Sequence, residues 1–356
     1  MSIHYPAFKA AACHVAPVFL DSARTIDKAL SLIEEAAGNG ASLIAFPESF
    51  VPAFPIWAAL RAPILNHDFF TAMAREALRV DGPEIARVRA AARRHGVHVS
   101  LGFSEGTDAS VGCMWNSNVL IGPDGSVLNL HRKLVPTFFE KLIWSNGDAR
   151  GLRVTQTEIG RIGMLICGEN TNPLSRFALM AEGEQVHIST YPPCWPTRPP
   201  TDAGAYDLRR AIEIRAGGHA FEAKVFNIVS SAFTDQSMKD AIARVDKSLV
   251  ELIEGSAQSI SMVIDPMGTV IGELTGSEGI LYADIDTAAS VEPKQFHDVV
   301  GYYNRFDIFD LRVDRSRREP ARYAESSPET RGAEPGADGY GDPTVVSFRE
   351  SAGAKS

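Results

Sequence analysis

Three side chains with complementary chemistry each follow an apolar run that predicts a buried strand. Cys167 ends the run Gly-Met-Leu-Ile-Cys, Glu48 follows Leu-Ile-Ala-Phe-Pro, and Lys133 follows Ser-Val-Leu-Asn-Leu-His-Arg. A thiol can attack an electrophilic carbon, a carboxylate can transfer its proton, and a cation can stabilise the anion that forms. Open α/β sheets build sites at the carboxyl ends of their strands. The pattern therefore predicts one site for covalent catalysis by a cysteine.

The residues that follow Cys167 suit a reactive thiol. Gly168 lets the backbone turn tightly, so that its N–H can point at an anion on the substrate. Asn172 and Pro173 predict the N-cap and first residue of a helix, and a nearby helix N-terminus favours a thiolate. Taken alone, Cys167 fits a buried structural cysteine equally well, and a Glu or Lys in a loop is usually a surface residue. The combination of all three side chains favours catalysis.

The three segments resemble the signature motifs of the nitrilase branch of the carbon–nitrogen hydrolases. They stand in the expected order as Phe46-Pro-Glu48, His131-Arg-Lys133-Leu-Val-Pro-Thr137 and Cys167-Gly-Glu-Asn170. The resemblance extends from about residue 8 to residue 310 and includes segments 265–268 and 297–306. It implies hydrolysis of an organic nitrile to a carboxylic acid and ammonia through a thioimidate and an acyl-enzyme on the cysteine. It also implies that neither a metal nor an organic cofactor is needed.

The same resemblance implies a role for each motif residue. Cys167 is the nucleophile, Glu48 is the general base, and Lys133 stabilises the developing anion together with the N–H of Gly168. Glu140 matches the second glutamate of the superfamily, which orients the lysine; without the resemblance it would be a surface carboxylate beside a neighbouring lysine. Many members of the branch carry tryptophan directly after the nucleophile, so their substrate preference does not transfer to this chain.

Aromatic residues near the motifs are candidates for a substrate pocket. We expect about half of them to be packing residues only. The others would form an apolar slot for an aliphatic or arylaliphatic nitrile. The candidates for substrate binding are Trp57, Phe139, Tyr191 and Trp195, and Phe54, Phe138 and Trp144 are further aromatics of the same kind.

The cysteine pattern argues against zinc and disulfides. Cys13, Cys113, Cys167 and Cys194 form no Cys-x-x-Cys pair and no Cys/His set with zinc spacing. We expect free thiols. Cys194 competes as a nucleophile because prolines and aromatics surround it, but it lacks the strand end and turn glycine, which indicates a pocket wall.

Composition narrows the classes of partner and location. The 356 residues carry a net charge of −9 and no basic stripe, so we expect no nucleic-acid partner. Apolar runs are short, and the N-terminus Met-Ser-Ile-His-Tyr-Pro lacks the pattern of a signal peptide, so we expect no membrane span and a cytoplasmic location.

Alternating strands and helices must position these residues, which indicates a layered α/β fold with mixed sheets. The resemblance implies an α-β-β-α sandwich that dimerises into an eight-layer α-β-β-α:α-β-β-α assembly, and dimers that associate further into a helical oligomer. The predicted strands or hairpins are 8–15, 43–46, 97–103, 118–128, 156–166, 186–190, 225–230 and 259–274, and the predicted helices are 22–37, 69–78, 84–94, 173–181 and 206–222.

A change of composition near residue 312 predicts the end of the catalytic domain. Residues 1–311 form the predicted carbon–nitrogen hydrolase domain. Residues 312–356 are rich in Arg, Glu, Pro, Gly and Ser, which predicts a tail that is mobile or docks on a neighbouring subunit. The apolar segment 345–348 is the part of the tail best suited to docking.

Two other functions compete with nitrile hydrolysis. Amidases and carbamoylases of the superfamily share the Glu, Lys and Cys, and their chemistry differs in the leaving group. The wording of segment 131–137 and the region through residue 305 resemble nitrilases instead. A non-catalytic assembly protein on the same fold is the weaker alternative, because all three catalytic positions are intact.

Overall fold

The computed structural model of the chain describes residues 4–198 and 206–316. Twelve strands in these ranges form two six-stranded sheets. The strands are β1 (Ala7–His14), β2 (Ala41–Ala45), β3 (His98–Gly106), β4 (Met114–Ile121), β5 (Val127–Arg132), β6 (Thr155–Thr157), β7 (Gly160–Ile166), β8 (Val186–Tyr191), β9 (Phe226–Ser231), β10 (Ser261–Ile264), β11 (Val270–Leu274) and β12 (Gly279–Asp286).

The two sheets have the same arrangement of parallel and antiparallel strands. The first has the strand order β12-β1-β2-β3-β4-β5, and the second has the order β11-β10-β9-β8-β7-β6. In each sheet three central strands run parallel, β1 to β3 in one and β7 to β9 in the other. Antiparallel strands flank them on both sides. The prediction of mixed sheets is therefore confirmed.

Helices occupy the connections between strands. The prediction of a helix over 22–37 is confirmed, and Asp21 caps its first turn by accepting from the N–H of Arg24 at 2.9 Å. The helices are α1 (Ser22–Gly38), α2 (Trp57–Leu60), α3 (His67–Arg75), α4 (Pro83–His95), α5 (Pro173–Ala181), α6 (Leu208–Ala223), α7 (Gln236–Ala243), α8 (Ser248–Glu254) and α9 (Val291–Phe296).

The inner faces of the two sheets pack against each other. Ala10 of β1 and Leu43 of β2 belong to the same buried cluster as Ile188 of β8 and Ile228 of β9. Removal of these side chains from water is the main force that joins the sheets. Because the strand ends lie at the rim of this contact, loops from both sheets can meet there.

Helices cover the two outer faces. Ile26 of α1 and Val88 of α4 pack with buried residues of the first sheet. Leu179 of α5 packs with Leu165 of β7, and Ala216 of α6 lies in the cluster that also holds Ile166. The result is the predicted α-β-β-α sandwich.

Several elements differ from the sequence-based expectation. The predicted helix 69–78 ends at Arg75, because the N–H of Leu78 donates to the carbonyl of Ser104 at 2.9 Å and Leu78 forms a bridge with Glu105. The sequence pattern did not indicate α7, α8 or β12. Strand β12 lies at a sheet edge and is mostly half-exposed, so its alternation of apolar and polar residues is weak.

The first residues beyond position 311 contact their own subunit. The Arg315 Nε donates to the carbonyl of Leu152 at 2.9 Å, and its guanidinium pairs with Glu182. Val313 packs beside Leu165. The domain boundary at residue 311 stays a prediction, and segment 345–348 lies outside the described residues. No helix within the described ranges has the length and apolar character to cross a membrane.

Candidate active site

The predicted catalytic side chains meet where strands of both sheets end. Glu48 lies shortly after β2, Lys133 directly after β5, and Cys167 directly after β7. The Cys167 Sγ and one carboxylate oxygen each of Glu48 and Glu140 all lie within 4.8 Å of one another. The structure therefore brings together four side chains that are separated by as many as 119 residues along the sequence (167 − 48 = 119).

The Lys133 amine lies between two carboxylates. Its Nζ donates to Glu48 Oε1 at 2.7 Å and to the two oxygens of Glu140 at 2.9 and 2.7 Å. All three side chains are buried. Burial by itself would lower the pKa of Lys133, but the charges of Glu140 and Glu48 outweigh it and raise that pKa. The amine is therefore a permanent ammonium at neutral pH.

The two glutamates occupy different environments. Glu48 Oε1 also accepts from Asn116 Nδ2 at 2.7 Å, whereas Glu48 Oε2 accepts no hydrogen bond from the described residues and is free to take a proton. Burial raises the pKa of Glu48 despite the opposing charge of Lys133. Burial also raises the pKa of Glu140 to about 7, again against Lys133. Glu140 is thus a buried partner of the lysine rather than a surface carboxylate.

Cys167 has a backbone conformation that is uncommon for a residue with a side chain. Its φ is +51°, in the left-handed region, and its side chain is only 3% exposed. Burial, followed by the charge of Glu48, raises the pKa of the Cys167 thiol well above its ordinary value. The predicted helix begins at Pro173, as expected, and its effect on the thiol stays a prediction, because burial acts in the opposite direction. The resting thiol keeps its proton and needs a base.

Gly168 serves a different purpose from the one its sequence position indicates. The left-handed turn conformation is at Cys167, so Gly168 is not needed for a positive φ. A Cβ at Gly168 would lie 2.7 Å from Thr137 Oγ1, closer than a contact between unbonded atoms allows. The glycine is therefore required for space, because the motif that carries Lys133 packs directly against the nucleophile turn.

The substitution Gly168→Ala will lower kcat. The added methyl group will displace Thr137, whose N–H donates to Glu140 Oε2 at 2.9 Å. We expect a loss of about 10- to 100-fold, because small displacements of catalytic groups have effects of this size. A double variant with Thr137→Ala removes the contacting oxygen and should recover part of the loss. Steady-state kinetics on the two single variants and the double variant test this, and additive effects would show that the contact is irrelevant.

The Glu169 carboxylate joins the turn that begins at Cys167 to the segment that carries Lys133. Its carboxylate accepts from His131 Nε2 at 2.6 Å and from the N–H groups of Leu134 and Ile166 at 3.2 Å each. These contacts make Glu169 a carboxylate that stabilises the turn. The sequence analysis missed the structural roles of His131, which contacts Glu169, and of Asn116, which donates to Glu48. The alternation of buried Asn116 and Asn118 on one face of β4 is a signal that could have indicated the latter.

The predicted pocket aromatics divide into two groups. Most of them pack in one buried cluster with Cys167, and the Trp195 and Phe139 rings stack at a centroid distance of 4.6 Å. By contrast, Phe138 is 66% exposed and lies outside this cluster. The members that accompany the nucleophile are Phe54, Trp57, Phe139, Trp144, Tyr191 and Trp195.

Cys194 is buried, and no carboxylate or histidine base contacts it among the residues that the structure describes. It forms a backbone bridge with Gln258, and its thiol contacts Thr234. Burial raises the pKa of Cys194 to about 12. This environment fits the interpretation of Cys194 as a pocket wall.

Two buried groups in the described ranges have ligand atoms close enough for one metal ion. The first is Glu48, Glu140 and Cys167, where the Lys133 ammonium already lies between the two carboxylates. The second is Glu184, His187 and His219. The first group therefore suits an ammonium ion better than a metal, and the expectation of metal-free chemistry stays a prediction.

Comparisons with known proteins agree with this geometry. A family model for carbon-nitrogen hydrolases matches residues 9–294. The chain is 33% identical to a nitrilase of Paraburkholderia phymatum over 92% of both chains, and 34% identical to the bromoxynil-specific nitrilase of Klebsiella pneumoniae subsp. ozaenae over 88% of this chain and 87% of that one.

A carbon–nitrogen hydrolase from Helicobacter pylori G27 has a similar solved structure. The TM-score is 0.68 at 19% identity, over 85% of this chain and 97% of that chain. At this level of identity the likeness supports the sandwich fold alone, whereas the family model and the sequence relatives extend over the motifs. The chain therefore belongs to the carbon–nitrogen hydrolase family and, within it, to the nitrilase branch.

Proposed function

We propose that this protein is a nitrilase that converts an organic nitrile to its carboxylic acid and ammonia. The observation that carries the proposal is the buried cluster of Cys167, Glu48, Lys133 and Glu140 inside a wall of aromatic side chains. The nitrilases to which the chain is similar supply the substrate class. No organic cofactor is required, because the cluster contains a nucleophile, a base and a cation.

The first chemical step forms a thioimidate. Glu48 removes the proton of the Cys167 thiol through its free oxygen, and the sulfur adds to the nitrile carbon. Negative charge develops on the nitrogen, where the Lys133 ammonium and the N–H of Gly168 stabilise it. Glu48 then returns the proton to the nitrogen. Glu140 holds the ammonium in place, since it accepts from Lys133 with both oxygens.

Two waters complete the reaction. Glu48 activates the first water for attack on the thioimidate carbon and passes the proton to the nitrogen, which gives a tetrahedral carbon that carries a hydroxyl and an amino group. The hydroxyl proton then passes through Glu48 to the amino group, ammonia leaves, and a thioester remains on Cys167. A second water, activated in the same way, releases the carboxylic acid and restores the thiol. Each turnover therefore consumes two waters for every nitrile, and the enzyme returns to its starting protonation state.

The pocket walls indicate an aliphatic or arylaliphatic substrate. Phe139, Tyr191 and Trp195 are apolar surfaces beside the nucleophile, and Trp57 stacks on Phe69 at 5.5 Å to support the wall behind them. Aromatic walls of this kind favour binding of a hydrocarbon or aryl group through area burial and ring packing. We assign no charged group of the substrate to this wall.

A matched pair of substrates tests the proposal against the amidase alternative. Ammonia release is measured from phenylacetonitrile and phenylacetamide, with butyronitrile and butyramide as the aliphatic pair, and an N-carbamoyl amino acid tests for a carbamoylase. Nitrile turnover with little amide turnover supports a nitrilase. Turnover of the amides or the carbamoyl compound alone would overturn it. Absence of all turnover, with Cys167 inert toward a thiol-reactive probe, would favour the non-catalytic assembly protein.

We further propose a homodimer as the building block and a helical oligomer of such dimers. An exposed apolar face on α5 and α6 supports the dimer, because Leu174, Ile214 and Phe221 are each more than 40% exposed there. We place the protein in the cytoplasm, since all four cysteines are free thiols and a reducing compartment keeps them so. Nucleic acid and membrane remain outside the proposed partners.

Removal of residues 317–356 will lower the mass of the oligomer toward that of the dimer. The proposed tail links neighbouring dimers through segment 345–348, and open contacts of this kind build helices rather than closed rings. Activity should fall in parallel. Light scattering gives the mass, and Ile214→Glu on the exposed face of α6 is the control that should split the dimer instead. An unchanged mass with full activity would show that the tail is a solvated appendage.

A further inference from the structure

A buried hydrogen-bond chain begins at the nucleophile turn itself. Asn170 Nδ2 donates to the carbonyl oxygens of Cys167 at 3.1 Å and Leu165 at 3.3 Å. Since both partners are backbone acceptors, the orientation of the amide is fixed. Asn170 Oδ1 therefore faces His187 Nε2 at 3.0 Å and Ser189 Oγ at 3.1 Å. The next group outward from the nucleophile is thus a histidine on β8.

Glu184 connects two histidines at the far end of the chain. Its Oε1 lies 2.6 Å from His187 Nδ1, and its Oε2 lies 2.6 Å from His219 Nε2 on α6. The three side chains are completely buried, and the two imidazole rings stack at a centroid distance of 3.9 Å. Burial would raise the pKa of Glu184, but the two histidines outweigh it and lower that pKa to about 2. The carboxylate is therefore ionised.

Donors and acceptors along the chain fix the proton positions. Glu184, as a carboxylate, can only accept, so His187 Nδ1 carries a proton. Asn170 Oδ1 is an acceptor as well, so both ring nitrogens of His187 face acceptor oxygens. Burial and the neighbouring His187 lower the pKa of His219 to about 4, so His219 is neutral and donates through Nε2 alone. Its Nδ1 has no partner among the described residues.

The hydrogen bond from Asn170 acts on the peptide group that carries the proposed anion donor. The carbonyl of Cys167 and the N–H of Gly168 belong to one peptide unit, which is planar and conjugated. A donor on the carbonyl oxygen draws electron density toward that oxygen and makes the N–H at the other end a stronger donor. It also fixes the orientation of a turn in which Cys167 has a positive φ.

We propose that Glu184, His187 and Asn170 form a positioning network that orients and polarises the peptide between Cys167 and Gly168, so that the Gly168 N–H stabilises the anion formed on the substrate. This inference rests on the proposed covalent mechanism. None of the three residues touches the substrate, and each acts through the next. Glu184 holds the His187 ring in place, His187 faces the Asn170 amide oxygen, and Asn170 in turn donates to the Cys167 carbonyl.

Glu184, His187 and His219 are also a possible ligand set for a divalent metal, but the hydrogen bonds argue against it. Two atoms that ligate one zinc ion at about 2.0–2.1 Å in tetrahedral geometry lie about 3.3 Å apart, whereas His187 Nδ1 and Glu184 Oε1 lie 2.6 Å apart, as in a hydrogen bond. The Glu184 carboxylate also packs tightly against Gly163 of strand β7. A Cβ atom added to Gly163 would lie only 1.8 Å from Glu184 Oε1, so the carboxylate has no room to move toward this strand. Metal analysis of the purified protein is therefore part of the test.

The substitution Glu184→Gln tests the network with little change of shape. The Glu184 carboxylate offers one oxygen to His187 and the other to His219, whereas a glutamine side chain offers a single acceptor oxygen and no charge. The variant therefore cannot hold both histidines as the carboxylate does. The matched control is His219→Gln, because a neutral buried donor replaces a neutral buried donor. His14→Gln, a buried histidine bonded to Ser261 outside the network, is the second control.

Two measurements separate positioning from general damage. Turnover requires the Gly168 N–H, whereas alkylation of Cys167 by iodoacetamide requires the thiol and its base but no anion on a substrate nitrogen. For Glu184→Gln we expect kcat to fall about tenfold or more, because part of one anion donor is lost. The rate of alkylation and KM should each stay within about twofold, since neither depends on a developing anion. Both control variants should have the kcat, the KM and the rate of alkylation of the wild type.

Equal losses of turnover and alkylation in Glu184→Gln would overturn the proposal, because they would mean that the nucleophile itself is displaced. A stoichiometric metal that is lost in the variant would also overturn it. If Glu184→Gln does not fold, the same measurements are made on Asn170→Asp. An aspartate can accept from His187 but cannot donate to the Cys167 carbonyl, so we again expect kcat to fall while the rate of alkylation is kept. Wild-type turnover of nitriles decides the proposed function separately, and the ratio of variant to wild type can be measured on whichever substrate is hydrolysed.

Discussion

Cys167→Ala will abolish nitrile turnover while the protein remains folded. The sulfur is the only atom removed, and it lies within 4.8 Å of the Glu48 and Glu140 carboxylates, where no other nucleophile stands in the described cluster. We expect a loss of about 10⁴-fold or more, the size found when the nucleophile of a covalent mechanism is removed. Thermal unfolding should change little, since the substitution deletes one small buried atom.

Cys194→Ala is the matched control for this result. It also removes one buried sulfur, and we expect a stability loss of about 1 kcal/mol from the small cavity. Its activity should stay close to that of the wild type, because Cys194 contacts Thr234 and has no carboxylate base. Ammonia release and thermal melting are measured on both variants. A dead Cys194→Ala together with an active Cys167→Ala would show that the site has been assigned to the wrong cysteine.

Lys133→Arg will lose nearly as much activity as Lys133→Ala, although it keeps the positive charge. Lys133 Nζ fits between Glu48 and Glu140 with distances of 2.7 to 2.9 Å, and this space suits a compact ammonium rather than a planar guanidinium. We expect kcat to fall about 10²- to 10³-fold in both variants, as when a donor for a developing anion is lost.

The two Lys133 variants should differ in stability. The alanine leaves Glu48 and Glu140 buried without a cation, which costs about 3–5 kcal/mol when one partner of a buried ion pair is removed. The arginine retains part of that interaction. The control is Lys141→Arg on the surface of the same segment, which should be neutral in both respects. Recovery of more than a small fraction of kcat in Lys133→Arg would show that positive charge alone is sufficient.

The sequence predicted the parts of the site that depend on local order. Glu48, Lys133 and Cys167 each follow a strand, and the sheets place those strand ends together as expected. Glu140 was identified only through the resemblance, because it lies on a short 3-10 helix (Phe138–Leu142) rather than at the end of a strand. The layered fold followed from alternating strands and helices, and the family is confirmed by a model that covers residues 9–294.

Other properties depend on contacts that no local pattern encodes. The requirement for glycine at position 168 comes from Thr137 on another segment, so a turn glycine was the wrong explanation. The raised pKa of the Cys167 thiol results mainly from burial, which depends on the packed structure around the turn. The pairing of Glu184 with His219 joins a loop to a helix 35 residues away. Such effects require the packed structure.

Burial of the nucleophile also affects how readily its sulfur is oxidised in air. Oxidation of a cysteine needs an accessible thiolate, and burial raises the pKa of Cys13, Cys167 and Cys194 alike. Cys113 is the one partly exposed cysteine, and its sulfur lies 3.4 Å from Ser145 Oγ, away from the catalytic carboxylates. We therefore expect dissolved oxidants to react first with Cys113, which lies outside the catalytic cluster. The catalytic sulfur should be oxidised more slowly than Cys113 during storage.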